Sequence, residues 1–147
     1  MSAPTPALRI EFPYVFAEAT YAKARIGGRV VSRAVVVATG VTATGDREVL
    51  GVEVGDSETG ALWTAFFKGL SARGLAGVAL VISDHHLGLN TAIEAVFVGA
   101  AWQRCRVHAR RNVLARVPKA SAEMVAAAIR TIFARLDATH VRRQLTE

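Results

Sequence analysis

Two short glycine turns inside one apolar stretch restrict the possible folds of this chain more than any other feature. "YVFAEATYA" (Tyr14–Ala22) alternates aromatic and β-branched residues with small or polar ones, as a half-buried strand does. "VVSRAVVVATGV" (Val30–Val41) contains the longest strand-like apolar run, Ala34–Thr39, and suits a central strand. Between them lies only "RIGGR" (Arg25–Arg29), a turn built on Gly27-Gly28. "TATGDRE" (Thr42–Glu48) turns again, and "VLGVEVG" (Val49–Gly55) alternates as a third strand. Links this short join antiparallel neighbours, because a parallel return needs a crossover of about a dozen residues. The chain therefore opens with an antiparallel meander and cannot be an all-parallel, doubly wound sheet. "RIGGR" lacks the GxxxxGK[ST] arrangement of a phosphate loop, and "GVEVG" is no dinucleotide motif.

The pattern then changes period. In "DSETGALWTAFFKGLSARG" (Asp56–Gly74), Leu62, Trp63, Phe66, Phe67 and Leu70 fall at helical spacing, with Asp56 or Ser57 as the expected N-cap and Gly74 as the stop. "GVALVIS" (Gly77–Ser83) reads as a buried strand, His86–Gly99 as a helix and Ala100–Cys105 as a short strand. Val107–Pro118 and Ser121–Leu136 read as two more helices. The order β-β-β-α-β-α-β-α-α predicts an α/β fold. Strands reached through helices pair in parallel. A mixed five-stranded sheet follows, a three-strand antiparallel meander plus two parallel strands, flanked by helices. That is the order of the ribonuclease H-like fold.

The chain has 147 residues, enough for one domain with a real core, and is 52% hydrophobic and 20% charged, which excludes a disordered class. Its apolar runs fall far short of the roughly 20 residues of a membrane span. The opening "MSAPTPALRIEFP" lacks the basic and apolar regions of a secretory signal. A single cysteine, Cys105, excludes an intrachain disulfide and agrees with a reducing compartment. These features predict a cytoplasmic location. Charge is uneven: residues 1–100 carry net −1 and residues 101–147 net +7. A basic tail on a near-neutral body suits a polyanionic partner, most simply nucleic acid, although a solvated helix face accounts for the same charges.

Three groups of residues invite a chemical reading. "LVISDHHLGLN" (Leu80–Asn90) puts one carboxylate and two imidazoles directly after an apolar run. Asp84 there reads as a metal ligand, as an active-site orienter or as the cap of the next helix. "CRVH" gives Cys105 and His108 the spacing of half a zinc site, but no second cysteine pair exists and His140 is the one downstream histidine. Packing at a sheet edge is the expectation, with Trp102 as core. Arg104, Arg106, Arg110, Arg111 and Arg116 fall within thirteen residues. On a helix Arg106, Arg110 and Arg111 share a face, either a phosphate track or a solubilising surface.

In order and spacing, the strand-one "EATY", "REVLGVEVGDSE", "ISDHHLGL" and "WQRCRVHARRN" resemble the catalytic core of Mutator-type transposases of bacterial insertion sequences. The resemblance covers roughly residues 14–136. It implies a ribonuclease H-like core of the DDE class, which binds terminal inverted repeats, frees a 3′-hydroxyl and joins it to target DNA. Magnesium or manganese held by carboxylates is the implied cofactor. Asp84 matches the second acid. Glu18 stands where the family reads "DATY", and its extra methylene matters, since about 1 Å of misplacement costs on the order of 100-fold. Catalytic and metal-holding roles are thus expected for Asp84 and Glu18, DNA contacts for Arg104, Arg106, Arg110 and Arg111, and auxiliary roles for His86, Cys105 and His108.

The family's third acid is a glutamate on a later helix, beyond an all-helical insertion. Glu123 reads as part of that insertion, and Glu53 and Glu94 are the remaining acids near by order. The expectation is a core incomplete at its C-terminal end. Residues 1–13 would be an extended lead-in, 14–136 the partial core with the insertion beginning at 107, and 137–147 a tail. Expected partners are DNA ends and target, together with a second copy or an intact transposase, at the bacterial nucleoid. The competing expectation is a non-catalytic module that binds DNA or an intact transposase.

Overall fold

A computed structural model describes residues 7–8, 11–134, 137–139 and 142–143. They form two compact units, residues 1–105 and 106–147. The expected lead-in and tail, His140 and the last residue of the helix expected to end at Leu136 fall largely or wholly outside the described residues.

In the first unit, β1 (Tyr14–Ile26), β2 (Arg29–Val41) and β3 (Arg47–Gly55) form the expected meander. Gly27 and Gly28, at φ 56° and 77°, make the two-residue turn between β1 and β2, a left-handed pair that glycine adopts without steric cost. The chain continues through α1 (Gly60–Ala72), β4 (Leu80–Ser83), α2 (Leu87–Val96) and β5 (Ala101–Arg104). The sheet order is β3-β2-β1-β4-β5. β2 is antiparallel to both β1 and β3, whereas β4 is parallel to β1 and β5. This is the mixed five-stranded α/β sheet that the sequence predicts.

One sheet face builds the core. Val15 and Ala17 of β1 and Ala34, Val36 and Ala38 of β2 alternate onto it and are buried. Trp63, Phe66, Phe67 and Leu70 of α1 and Leu89, Ala92 and Ile93 of α2 cover them. Phe67 lies 5.4 Å from Trp63 and 4.9 Å from Phe97, ring to ring. On the other face Val35 and Val37 are half-buried, and Val52 and Val54 are exposed. At the N-terminal ends of α1 and α2, a β-carbon on Gly88 would stand 2.6 Å from the Gly60 nitrogen. Only two glycines allow the helices to approach this closely.

α1 begins two or three residues later than expected. Its N-cap is Thr59, whose hydroxyl accepts from the Leu62 N–H at 3.1 Å, and neither Asp56 nor Ser57 serves. The preceding segment stays outside the helix because Glu58 is tied to neighbours. Its N–H donates to the Tyr21 hydroxyl at 3.1 Å, and its Oε1 accepts from Trp63 Nε1 at 3.0 Å.

The second unit holds α3 (Arg106–Leu114), a 3₁₀ turn (Lys119–Ser121) and α4 (Ala122–Phe133). The Ala134 N–H donates to the Arg130 carbonyl and closes α4.

Candidate active site

Open α/β sheets hold ligands beyond the carboxyl ends of their strands. β4 ends at Ser83, so Asp84 is the first residue past that edge. The parallel register of β1 and β4 runs from Tyr14 opposite Leu80 to Ala17 opposite Ser83. Glu18 and Asp84 immediately follow this last pair, so the strand pairing ends with the two of them at neighbouring positions. Adjacent strands lie about 4.8 Å apart. Glu18 is exposed and the Asp84 side chain is 45% exposed, so both carboxylates meet solvent.

The turn after β4 is held from several sides. Ser83, buried, donates its hydroxyl hydrogen to the Asp84 carbonyl at 2.8 Å and accepts from Trp102 Nε1 at 2.8 Å. The Ser83 carbonyl accepts from the Cys105 N–H at 2.6 Å. Asp84 Oδ1 accepts from the His85 N–H at 2.8 Å and lies 3.7 Å from Arg104 Nε. Both contacts use Oδ1, which leaves Oδ2 without a protein partner among the described residues. Asp84 does not cap α2. That role belongs to His86, whose Nδ1 accepts from the Leu89 N–H at 3.2 Å. The extended His86 backbone keeps Asp84 two residues short of the helix.

His86 Nδ1 also stands 3.8 Å from Glu58 Oε1. Capping needs a bare Nδ1, whereas an ion pair with Glu58 needs a protonated one, so the two roles exclude each other. The sequence reading did not single out Glu58, Ser83 or the Trp102 indole N–H for this turn. "DSE" within "REVLGVEVGDSE" and the lone serine of "VISD" were visible, but nothing local says that they converge.

The remaining candidates separate. Arg104 ends β5 beside Asp84, whereas Arg106, Arg110 and Arg111 lie on α3 in the second unit. Cys105 is buried at the end of the first unit. His108 is on α3, and its Nδ1 is buried without a hydrogen-bond partner among the described residues. Trp102 packs against the core, as expected. Neither Glu53 nor Glu94 extends the carboxylate pair. Val37 faces both Glu18 and Val52, so Glu53 falls on the opposite side of the sheet, and Glu94 is an exposed position of α2, which packs on that same opposite side. Among the described residues no group of three or more His, Cys, Asp or Glu could hold a metal ion. Two carboxylates with an unengaged oxygen still suit magnesium, which keeps several waters and takes one or two carboxylates alongside substrate phosphates.

Comparison with known proteins adds an independent finding. The family described as "Transposase, Mutator family" matches residues 5–147. The transposase for insertion sequence element IS1081 of Mycobacterium tuberculosis is 49% identical over 134 residues, 90% of this chain and 32% of that protein. The transposase for IS406 of Burkholderia multivorans is 45% identical over 136 residues, 92% of this chain and 35% of that protein. The transposase for IS256 in transposon Tn4001 of Staphylococcus aureus is 41% identical over 122 residues, 83% of this chain and 31% of that protein. The chain thus spans about a third of the length of the curated relatives it matches. A chain in a simian T-cell lymphotropic virus intasome is similar at a TM-score of 0.42 and 11% identity, over 89% of this chain and 52% of that one. No helix among the described residues is long and apolar enough to cross a membrane.

Proposed function

Because this chain belongs to the Mutator family of transposases, we propose that it supplies the first two carboxylates of a metal-dependent DNA strand-transfer site, Glu18 and Asp84. The observation that carries this reading is the β1–β4 register, whose last pair, Ala17 opposite Ser83, immediately precedes these two residues. The inherited role is DNA transposition at insertion-sequence ends. Magnesium or manganese, when bound, supplies a Lewis acid that activates the attacking oxygen and stabilises the leaving one.

The chain's own residues do the rest. Asp84 Oδ1 is oriented by the His85 N–H and Arg104, so Oδ2 is the oxygen presented to a cation. Ser83 and Trp102 hold the Asp84 peptide in place. His86 fixes the start of α2, and with it the exit of the turn. Arg104 gives the site a cation for a DNA phosphate, and Arg106, Arg110 and Arg111 on α3 offer phosphate contacts of their own. Residues 14–105 then form the core portion and α3 begins a helical insertion, working on DNA in the bacterial nucleoid. Two carboxylates, one lengthened by a methylene, do not complete the site, so the 147-residue chain binds DNA without cutting it.

The test has two arms. Isothermal titration with Mn²⁺ should show weak binding that Asp84→Asn and Glu18→Gln each reduce about tenfold or more; affinity unchanged in both variants would remove the carboxylate pair. Supercoiled DNA carrying insertion-sequence ends, incubated with the chain and Mg²⁺, should stay intact; reproducible nicking at the ends would show that these residues suffice for cleavage.

A further inference from the structure

The carboxylate site leaves a groove in the second unit unassigned. It lies between α3 and α4, with a volume of about 490 Å³, inside the range of about 300–1,000 Å³ typical of small-ligand sites. Arg106, Val107 and Arg110 form one wall, and Ile129, Arg130 and Phe133 the other. Each helix contributes positions i, i+1 and i+4, a single face in each case. Among the described residues no carboxylate lines the groove, and none of its three arginines is in an ion pair. Phe133 is 51% exposed and Val107 57%. The Arg106 guanidinium stands 5.6 Å from the centre of the Phe133 ring.

Such a lining asks for a ligand that is anionic at one end and flat and apolar at the other. A DNA duplex offers only half of that, since its phosphates face outward while its base faces are stacked inside. The arginines could use such a duplex, but Phe133, Val107 and Ile129 could not. An unstacked nucleotide offers both halves, because guanidinium forks match phosphate oxygens and every base has a face that stacks on an aromatic ring.

We propose that the α3–α4 groove receives an unstacked nucleotide of single-stranded DNA, its phosphates held by Arg106, Arg110 and Arg130 and its base laid against Phe133. The choice of DNA as ligand rests on the functional reading above, whereas the selection of an unpaired base rests on the groove alone. Arg106, already over the ring, closes on the phosphate as the base arrives.

Fluorescence anisotropy on the full 147-residue chain tests this with two labelled probes, a blunt duplex and the same duplex with a single-stranded end. The wild-type chain should prefer the second probe by about fivefold or more, the size of one base–aromatic stack. Phe133→Leu, which keeps the groove apolar, should abolish that preference and leave blunt-duplex affinity unchanged. Arg130→Gln, at an exposed position, should weaken the single-stranded probe more than the blunt one. Equal wild-type affinity for the two probes, or equal losses in the variants, would overturn the proposal. Failure to bind either probe would strike the DNA reading itself and this one with it. A change of oligomeric state in Phe133→Leu, without any probe preference in the wild type, would give the groove to a second copy of the chain and not to DNA.

Discussion

Ser83 carries more of the candidate site than its size suggests. Among the described residues it is the one buried polar residue, and its hydroxyl is used twice, as donor to the Asp84 carbonyl and as acceptor from Trp102 Nε1. Leaving a buried donor unpaired costs about 1–3 kcal/mol, more than the net gain of making the bond. Ser83→Ala should therefore lower unfolding stability by about that amount, because the Trp102 indole N–H loses its acceptor. Trp102→Phe removes the donor instead. The two changes share one interaction, so the double variant should fall short of the sum of the singles by about 0.5 kcal/mol or more. Urea denaturation of the four proteins measures this, and strict additivity would mean that the pair does not act as a unit. Asp84 is the most conspicuous residue in the sequence, yet its surroundings depend on Ser83 and Trp102, whose bond forms only when β4 and β5 are paired.

The helices were legible at the level of elements but not at their ends. Trp63, Phe66, Phe67 and Leu70 mark α1 by their period alone, and all four are buried. Its start lies past both expected caps, Asp56 and Ser57, because Thr59 nearby is also a capping residue type and local preference does not rank the three. The long-range bond of Glu58 to Tyr21, together with its bond to Trp63, decides for Thr59. The crossing of α1 and α2 makes a sharper prediction. A β-carbon at Gly88 would lie 2.6 Å from the Gly60 nitrogen and 2.7 Å from its Cα, backbone atoms that cannot turn aside. Gly88→Ala should destabilise by about 1–3 kcal/mol as the helices are forced apart, even though alanine favours a helix by about 1 kcal/mol. Gly69→Ala on α1 is the control, since nothing lies within 4 Å of the added carbon, and it should stabilise by up to about 1 kcal/mol. Opposite signs in thermal unfolding would support the close crossing, and equal signs would reject it.

Across the whole molecule the asymmetry of charge is the property with the clearest consequence. Residues 101–147 carry net +7 and the first hundred net −1, so attraction to a polyanion belongs to one part of the chain. If Arg104, Arg106, Arg110 and Arg111 each neutralise one phosphate, the logarithm of duplex affinity should fall against the logarithm of salt with a slope of about −3 to −4. Replacing Arg110 and Arg111 together by glutamine should make that slope shallower by about 2. A slope near zero would assign the basic face to solubility. The core needs none of these charges, since its buried cluster is drawn from Phe12 to Phe97 in the first unit.

By itself the sequence determined the class of fold, because turn lengths and hydrophobic period are local: two glycine turns force a meander, and later strands reached through helices must pair in parallel. It also marked Asp84 and Glu18, through the family resemblance of "ISDHHLGL" and "EATY". Only the tertiary structure decided that the residues just before these two, Ala17 and Ser83, pair across β1 and β4, that His86 and not Asp84 caps α2, and that Arg104 stands beside Asp84. Register and long-range hydrogen bonds join residues far apart in the chain, Ser83 with Trp102 and Ala17 with Ser83 among them, and no local pattern encodes which of them meet.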